Sequence, residues 1–493
     1  MLFNSALYGA FLLGTFAIFW LLHAQRLARA LFLVVASYGF YFYGTWDAAK
    51  QEDVPLGPVG WSVLCLGIIF VGSTLVYWIG RALAKTETPR ARKALLLVSV
   101  VYYLGVLAIF KYFDFASESL TSLCSFLGLH VHFRHLGLVL PFGISFFTFE
   151  TMSYTIDVYR RELEPARRYL DYLLFVAFFP HLVAGPIVRP RQMLPQLARA
   201  PVADADKQAR GLWLIATGLT KKIVIGDTLS VNLVGRAFGN PERFSSAELL
   251  IAVYAYAIQI YCDFSGYTDV AIGSALLFGY ELPENFNVPY LARNLQDFWH
   301  RWHISLSTWL RDYLYVPLGG SRKGAGRTYV NLMITMLLGG LWHGASWNFV
   351  IWGGLHGAGL AATRMYQRRP GADAADPQGA GGLASRVLTT FLTFQFVCLA
   401  WVFFRAPSLG HATLVLGRIA RCTGGVENVS ARVALVLAAG MVMHAVPRGW
   451  ADRLRERFVA LPAAAMGVLL ALTAYGLHLA AGAKTEPFVY GQF

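Results

Sequence analysis

Two histidines set among tryptophans and apolar residues carry the chemistry this chain could do. His303 lies in NLQDFWHRWHISLSTWLRDY and His343 in MLLGGLWHGASWNF. Both fall in a stretch from Asn285 to Gly357 that holds four of the twelve histidines, the others being His300 and His356. Imidazole titrates near neutral pH, so it can take a proton from a hydroxyl as general base. A titratable group within hydrocarbon is costly, which makes a function the default expectation for it. Apart from His343 itself, no acid or base lies between Thr328 and Phe349. Gly339 and Gly340 precede His343 and Gly344 follows it. Two readings fit: the glycines let helices approach closely around a neutral core imidazole, or they leave space beside it for a substrate.

His303 is placed by a different pattern. Leu295, Trp299, Trp302, Leu306, Trp309 and Tyr313 step by four and three, one apolar stripe of an amphipathic helix. At roughly 100° per residue, His303 falls about 80° from the stripe centre and His300 about 140° from it. His303 is therefore expected at the margin of the buried face, and His300 on the polar face with Arg301 and Arg311. The alternative is that both are interfacial residues beside a tryptophan belt. The candidates are His343 and His303 for catalysis, with Trp302, Ser305, Arg311, Asp312, Trp342 and Asn348 for substrate contact. His356, also followed by glycine, reads as packing. His343 and His356 are thirteen apart with no carboxylate near, which is not metal spacing, so no metal is expected. Glu150, Asp157, Asp263 and Asp269 could bind a cation or relay protons; pairing within a polar interior is the plainer reading.

The elements that must position these residues are membrane helices. The chain is 56% hydrophobic, with a mean hydropathy of +0.49. Its apolar blocks are long enough to span about 30 Å of hydrocarbon at 1.5 Å per residue, and they do not alternate as strands of a membrane barrel would. The net charge of +14 reflects Lys/Arg collected in cytoplasmic loops, and nucleic acid is not an expected partner. Five scattered cysteines support neither a disulfide framework nor a zinc site. Spans are expected at Leu2–Leu22, Leu31–Trp46, Val59–Gly80 and Leu95–Phe110, then at Val387–Phe404, Ala431–Ala445 and Ala460–Ala481. Basic residues at Arg26, Arg29 and Arg81–Lys93 alternate with acidic Glu52 and Asp53, which puts the N-terminus outside.

The centre is irregular. Leu136–Tyr159 contains Pro141, Glu150 and Asp157, and Tyr169–Val188 contains Pro180, His181 and Pro186. A broken or re-entrant helix is expected over the latter. Gly211–Ile225 ends in Lys221 and Lys222 and reads as short or interfacial. Leu249–Leu277 reads as interrupted at Asp263, Gly266 and Asp269. The expected fold is an all-α polytopic membrane protein. Residues 1–366 form its core, 367–382 a flexible linker rich in Pro, Gly and Ala, and 383–493 C-terminal helices.

The segments NFNVPYLARNLQDFWHRWHISLSTWLRDYLYVPLGGSRKG and MLLGGLWHGASWNFVIWGGLHG closely resemble the membrane-bound O-acyltransferase family, in its bacterial alginate O-acetylase branch. PFGISFFTFETMSYTIDVYR, FFPHLVAGPIVRP, YCDFSGYTDVAIG and the C-terminal PFVYGQF add to the likeness, which covers roughly Leu31–Leu360 well. His300 stands where the branch usually has a basic residue. The resemblance implies a ring of tilted helices around a central polar passage, with the family's catalytic histidine at His343 and the branch's second histidine at His303. It also implies acetyl transfer from a cytoplasmic donor, acetyl-CoA, with no bound cofactor. The acceptor would be a cell-envelope polysaccharide, and a periplasmic partner protein would complete the transfer in a bacterial inner membrane. Two other classes fit the residues: D-alanyl transfer to a cell-wall polymer by a relative of the same family, and a transporter, since broken helices and intramembrane acids also suit a substrate path.

Overall fold

In hydrocarbon each backbone N–H and C=O needs a partner within its own segment, so an apolar chain of this length folds into helices. The computed structural model describes residues 3–52, 54, 56–183, 185–368 and 382–481, and no strand occurs among them. Among the described residues, six helices are long and apolar enough to cross a membrane: Arg26–Ala49, Gly57–Lys85, Pro89–Phe126, Ser246–Leu277, Leu383–Arg405 and Ala463–Ala480. The protein is an all-α, multi-pass membrane protein. It divides into two compact units, Met1–Ile215 with Val270–Pro283, and Ala216–Asp269 with Glu284–Phe493.

The first unit contains α1 (Ala6–Leu21), α2 (Arg26–Ala49), α3 (Gly57–Lys85), α4 (Pro89–Leu107) and α5 (Phe113–Phe126). It continues with α6 (Ile144–Tyr159), α7 (Tyr169–Ala177), α8 (Pro190–Leu197) and the start of α9 (Ala205–Thr220). A π-helical turn at Ala108–Tyr112 joins α4 to α5, so the expected Leu95–Phe110 span is part of a 38-residue run. The basic segment Arg81–Lys93 is mostly helix ends around a turn of a few residues. Arg92 is buried there and donates to Thr86 O at 3.1 Å and Tyr159 O at 2.7 Å. This guanidinium satisfies backbone carbonyls at two helix ends.

α6 starts at Ile144, later than the expected Leu136, because Gly143 turns the chain with φ of 70°. A Cβ at Gly143 would lie 2.6 Å from Leu182 O, so only glycine fits both the backbone and the space. The expected break in Tyr169–Val188 is present: α7 stops at Ala177 and helix resumes only at Pro190. Side chains serve the freed backbone in between. Phe179 N–H donates to Ser37 Oγ at 3.2 Å, and Val188 N–H donates to Glu150 Oε1 at 3.0 Å. His181 Nδ1 lies 3.1 Å from the same oxygen. Arg191 Nε donates to Asp157 at 2.8 Å. The acids are thus paired in a polar interior, as expected.

The second unit contains α10 (Gly235–Gly239), most of α11 (Ser246–Leu277), α12 (Leu295–Arg301), α13 (Ile304–Leu310), α14 (Gly324–His343) and α15 (Trp347–Gln367). α16 (Leu383–Arg405), α17 (Leu409–Ile419), α18 (Ala431–Ala445), α19 (Arg448–Val459) and α20 (Ala463–Ala480) follow. Three expectations fail here. Gly211–Ile225 is not a short segment: helix is continuous over 205–239 through π-helical stretches at Lys221–Asp227 and Ser230–Val234. Nor is α11 interrupted. Its acids are neutralised in place, Asp269 by Lys221 at 2.6 Å and Asp263 by Lys222, which also meets Asp227 at 2.9 Å. A Cβ at Gly266 would lie 2.6 Å from Gly218 O, so this glycine marks close helix approach and not a break. Ala431–Ala445 is no ordinary span either, since it bends by 94° into Gly449–Val459. Most of the linker expected at 367–382, and the C-terminal PFVYGQF, lie outside the described residues.

Candidate active site

The stripe from Leu295 to Tyr313 does not form one helix. α12 begins with Asn294 accepting Asp297 N–H at 2.9 Å and ends at Arg301. His303 then takes a left-handed conformation, φ 43° and ψ 55°, before α13 starts. Such a conformation costs a non-glycine residue on the order of 1–3 kcal/mol and persists only where its surroundings impose it. Here Asn285 imposes it. Its carbonyl accepts Ile304 N–H at 2.9 Å. Its side-chain oxygen accepts Ser305 N–H at 3.1 Å and Ser305 Oγ–H at 2.8 Å.

The break changes where His303 points. A continuous helix would leave it at the margin; instead it is fully buried. Its ring packs edge-on against Phe264 at 4.6 Å and against Trp342 at 5.9 Å. His303 Nδ1 lies 3.2 Å from Asn285 Oδ1. The backbone donor at Ser305 identifies that atom as the amide oxygen, which can only accept. Nδ1 therefore carries the imidazole proton and Nε2 keeps the lone pair. His303 is outside the six long apolar helices, and burial pushes its pKa down to about 3. It is neutral at physiological pH. His300 is exposed, as its position on the polar face requires.

His343 is the last residue of α14 and is buried among aromatic rings. Trp342, Trp352 and Phe404 lie 5.0, 5.1 and 5.3 Å from its ring centre. The two imidazoles are 6.4 Å apart. The glycines around His343 do not leave space for a substrate: a Cβ at Gly340 would meet Phe349 O, one at Gly344 the Phe349 ring, and one at Gly339 Leu310 Cδ1 at 3.2 Å. Close approach of α14 to α15, and to α13 at Gly339, accounts for them. His356 accepts Trp299 Nε1–H at 3.3 Å, stacks on Phe298 at 5.9 Å and lies tilted against Trp352 at 4.8 Å, a packing role.

The remaining candidates separate by burial. Trp302 is fully buried, 5.8 Å from Phe298 in a parallel stack and 5.1 Å from Trp401. Ser305 and Trp342 join it in the buried cluster. Asn348 is buried too, but its amide donates to Ala406 O at 2.7 Å and so ties α15 to the end of α16. Arg311 and Asp312 are not buried and pair with each other at 2.7 Å. Sequence reading missed the roles of Asn285, Phe264 and Phe404. Asn285 opens the organising stretch, but nothing in helical periodicity marks a residue that clamps a turn eighteen positions away.

The sequence model of the membrane-bound O-acyltransferase family matches residues 144–372. The chain is 40% identical over 416 residues to the probable alginate O-acetylase of Pseudomonas aeruginosa, covering 83% of this chain and 73% of that one. It is 35% identical over 452 residues to the peptidoglycan O-acetyltransferase of Helicobacter pylori, covering 84% and 79%. The chain belongs to the membrane-bound O-acyltransferase family. It is an O-acyltransferase. The teichoic acid D-alanyltransferase of Bacillus subtilis is more distant, 27% identical over 55% of this chain and 69% of that one. The O-acyltransferase match begins at the first residue of α6 and runs past the end of α15, so it takes in both buried histidines, Asn285 and the Glu150–His181 pair.

Proposed function

We propose that the enzyme carries an acetyl group from a cytoplasmic thioester, acetyl-CoA, across the membrane for O-acetylation of a cell-envelope or secreted polysaccharide of the alginate type. The observation that carries this is the buried row His303–Trp342–His343 in a chain whose 35–40% identical relatives are named for O-acetylation. His343 is the base. It takes the proton of an acceptor hydroxyl as that oxygen bonds to the thioester carbonyl carbon. The carbon–sulfur bond then breaks, and the thiolate leaves and is protonated. General-base catalysis of this kind contributes about 10²–10⁴-fold. His303 offers Nε2 as an acceptor that orients the same hydroxyl, with Trp302, Trp342 and Ser305 walling the path. Arg311 and Asp312, at the exposed end, meet the donor. Asn348 holds α15 in place around the site.

The membrane is the bacterial inner membrane, with the N-terminus periplasmic, the α3–α4 turn cytoplasmic, and a periplasmic acetyltransferase completing delivery to the polymer. Purified protein in vesicles, given acetyl-CoA, should release free thiol at a rate set by enzyme concentration. Thiol release only from a carrier protein loaded with D-alanine would move the assignment to the teichoic acid branch, and release from neither would point to a different acyl donor.

A further inference from the structure

Four tryptophans of the second unit pack ring against ring in a row. Trp299 and Trp352 are 5.8 Å apart, Trp352 and Trp401 5.9 Å, and Trp401 and Trp302 5.1 Å. An indole has one polar group, Nε1–H, and it can only donate. Two of the four are satisfied within the protein. Trp299 donates to His356 Nδ1 at 3.3 Å, and Trp401 donates to Tyr290 Oη at 3.2 Å. The other two, on Trp302 and Trp352, are buried with no acceptor among the described residues. A buried donor without an acceptor is costly and rare in folded proteins. A ligand oxygen can supply what the fold does not.

Position separates the two. Trp302 packs on Phe286, Tyr290, Phe298 and Trp401. Trp352 instead stands edge-on to His343, with ring centres 5.1 Å apart and planes at 86°. An acyl carbonyl placed beside His343 therefore also borders this indole. We propose that Trp352 Nε1–H is the oxyanion donor of the acyl transfer, which rests on the reading of His343 as the base that delivers a hydroxyl to a thioester. As the hydroxyl oxygen bonds to the carbonyl carbon, its proton passes to His343 and the carbonyl π pair moves onto oxygen. Trp352 Nε1–H donates to that oxygen, which carries more charge than the ground-state carbonyl. The pair then returns, the carbon–sulfur bond breaks, and the thiolate takes the proton from His343. A donor fixed in a low-dielectric site needs no reorganisation at that moment, and one such donor is worth about 10²–10³-fold in turnover.

Benzothienylalanine incorporated in place of Trp352 alone tests this, because it keeps the bicyclic ring and replaces N–H with sulfur. Thiol release is measured in vesicles with the thioester that supports wild type, acetyl-CoA or an acyl-loaded carrier protein. Wild-type release reports on the thioester reading, and the variant reports on the donor. The variant should lose about 10²–10³-fold in kcat with KM within about threefold of wild type. Its melting temperature should not fall, since an unsatisfied buried donor has been removed. Trp352→Phe, which also lacks the N–H, should lose kcat to a similar extent with some loss of melting temperature, and it decides on kcat alone if the analogue protein does not fold. A kcat within about threefold of wild type in either folded variant, or an analogue protein that melts well below wild type, would overturn the proposal. No wild-type release from either thioester would remove the thioester reading and this proposal with it.

Discussion

His181 and His303 are both fully buried and both stand at a break between helices, yet one faces a carboxylate and the other an amide. In the first unit, Glu150 Oε1 takes the His181 nitrogen and the Val188 N–H together. That arrangement spends the imidazole on holding a non-helical segment. In the second unit, Asn285 fixes the His303 turn through its own backbone and side chain, and the imidazole sits in an aromatic cluster with His343. Burial holds the His303 imidazole neutral, the form in which its Nε2 can accept a proton. The same residue type serves structure in one unit and chemistry in the other, and the partner decides which.

Breaking this contrast on the structural side acts on folding stability. Glu150→Ala orphans Val188 N–H and His181, each at about 1–3 kcal/mol, out of a total stability of about 5–15 kcal/mol. Membrane abundance should fall several-fold, read by immunoblot, while activity per molecule survives. Normal abundance with lost activity would make His181 part of the chemistry and erase the contrast.

Next come the two halves of the clamp. His303→Ala should cut polymer acetylation at least tenfold at equal protein level. Asn285→Ala should cut it less and shift the pH profile, because Nδ1 is then free to accept and the tautomer is no longer fixed. His300→Ala should change little. If His300→Ala is the more damaging, the assignment of exposed and buried histidines is wrong.

The smallest effect is on stability against pH. The folded pKa of His303, about 3, lies below the unfolded value of about 6.5. Below 6.5 the unfolded chain takes up a proton that the folded chain refuses, so this site's contribution is present above pH 6.5 and is lost as pH falls towards 3. In detergent, His303→Asn should therefore lose less melting temperature than wild type between pH 7 and pH 5. Equal slopes would mean that His303 is charged or exposed in the folded protein.

Helix class, the principal spans and the histidine-bearing segments were legible in the sequence, because hydropathy and loop charge act locally. The break at Tyr169–Val188 was legible from its prolines. The break at His303 was not. The 4–3 stripe of Leu295 to Tyr313 is intact, and what defeats it is Asn285, a tertiary clamp with no periodic signature. The reverse error occurred in α11, where Asp263 and Asp269 look like interruptions until Lys222 and Lys221 are brought against them. The glycines around His343 read equally well as space or as contact; only the position of Phe349 and Leu310 decides.

The central claim is that His343 is the base, and it is tested most directly by acyl transfer per molecule of purified His343→Gln compared with wild type, with melting temperature measured on the same samples. Glutamine keeps polarity and approximate size but cannot accept the proton at neutral pH. The account predicts a loss of about 10²–10⁴-fold with melting unchanged to within a few degrees. Activity near wild type in a folded His343→Gln protein would contradict it and leave His343 as one more packed ring in the aromatic cluster.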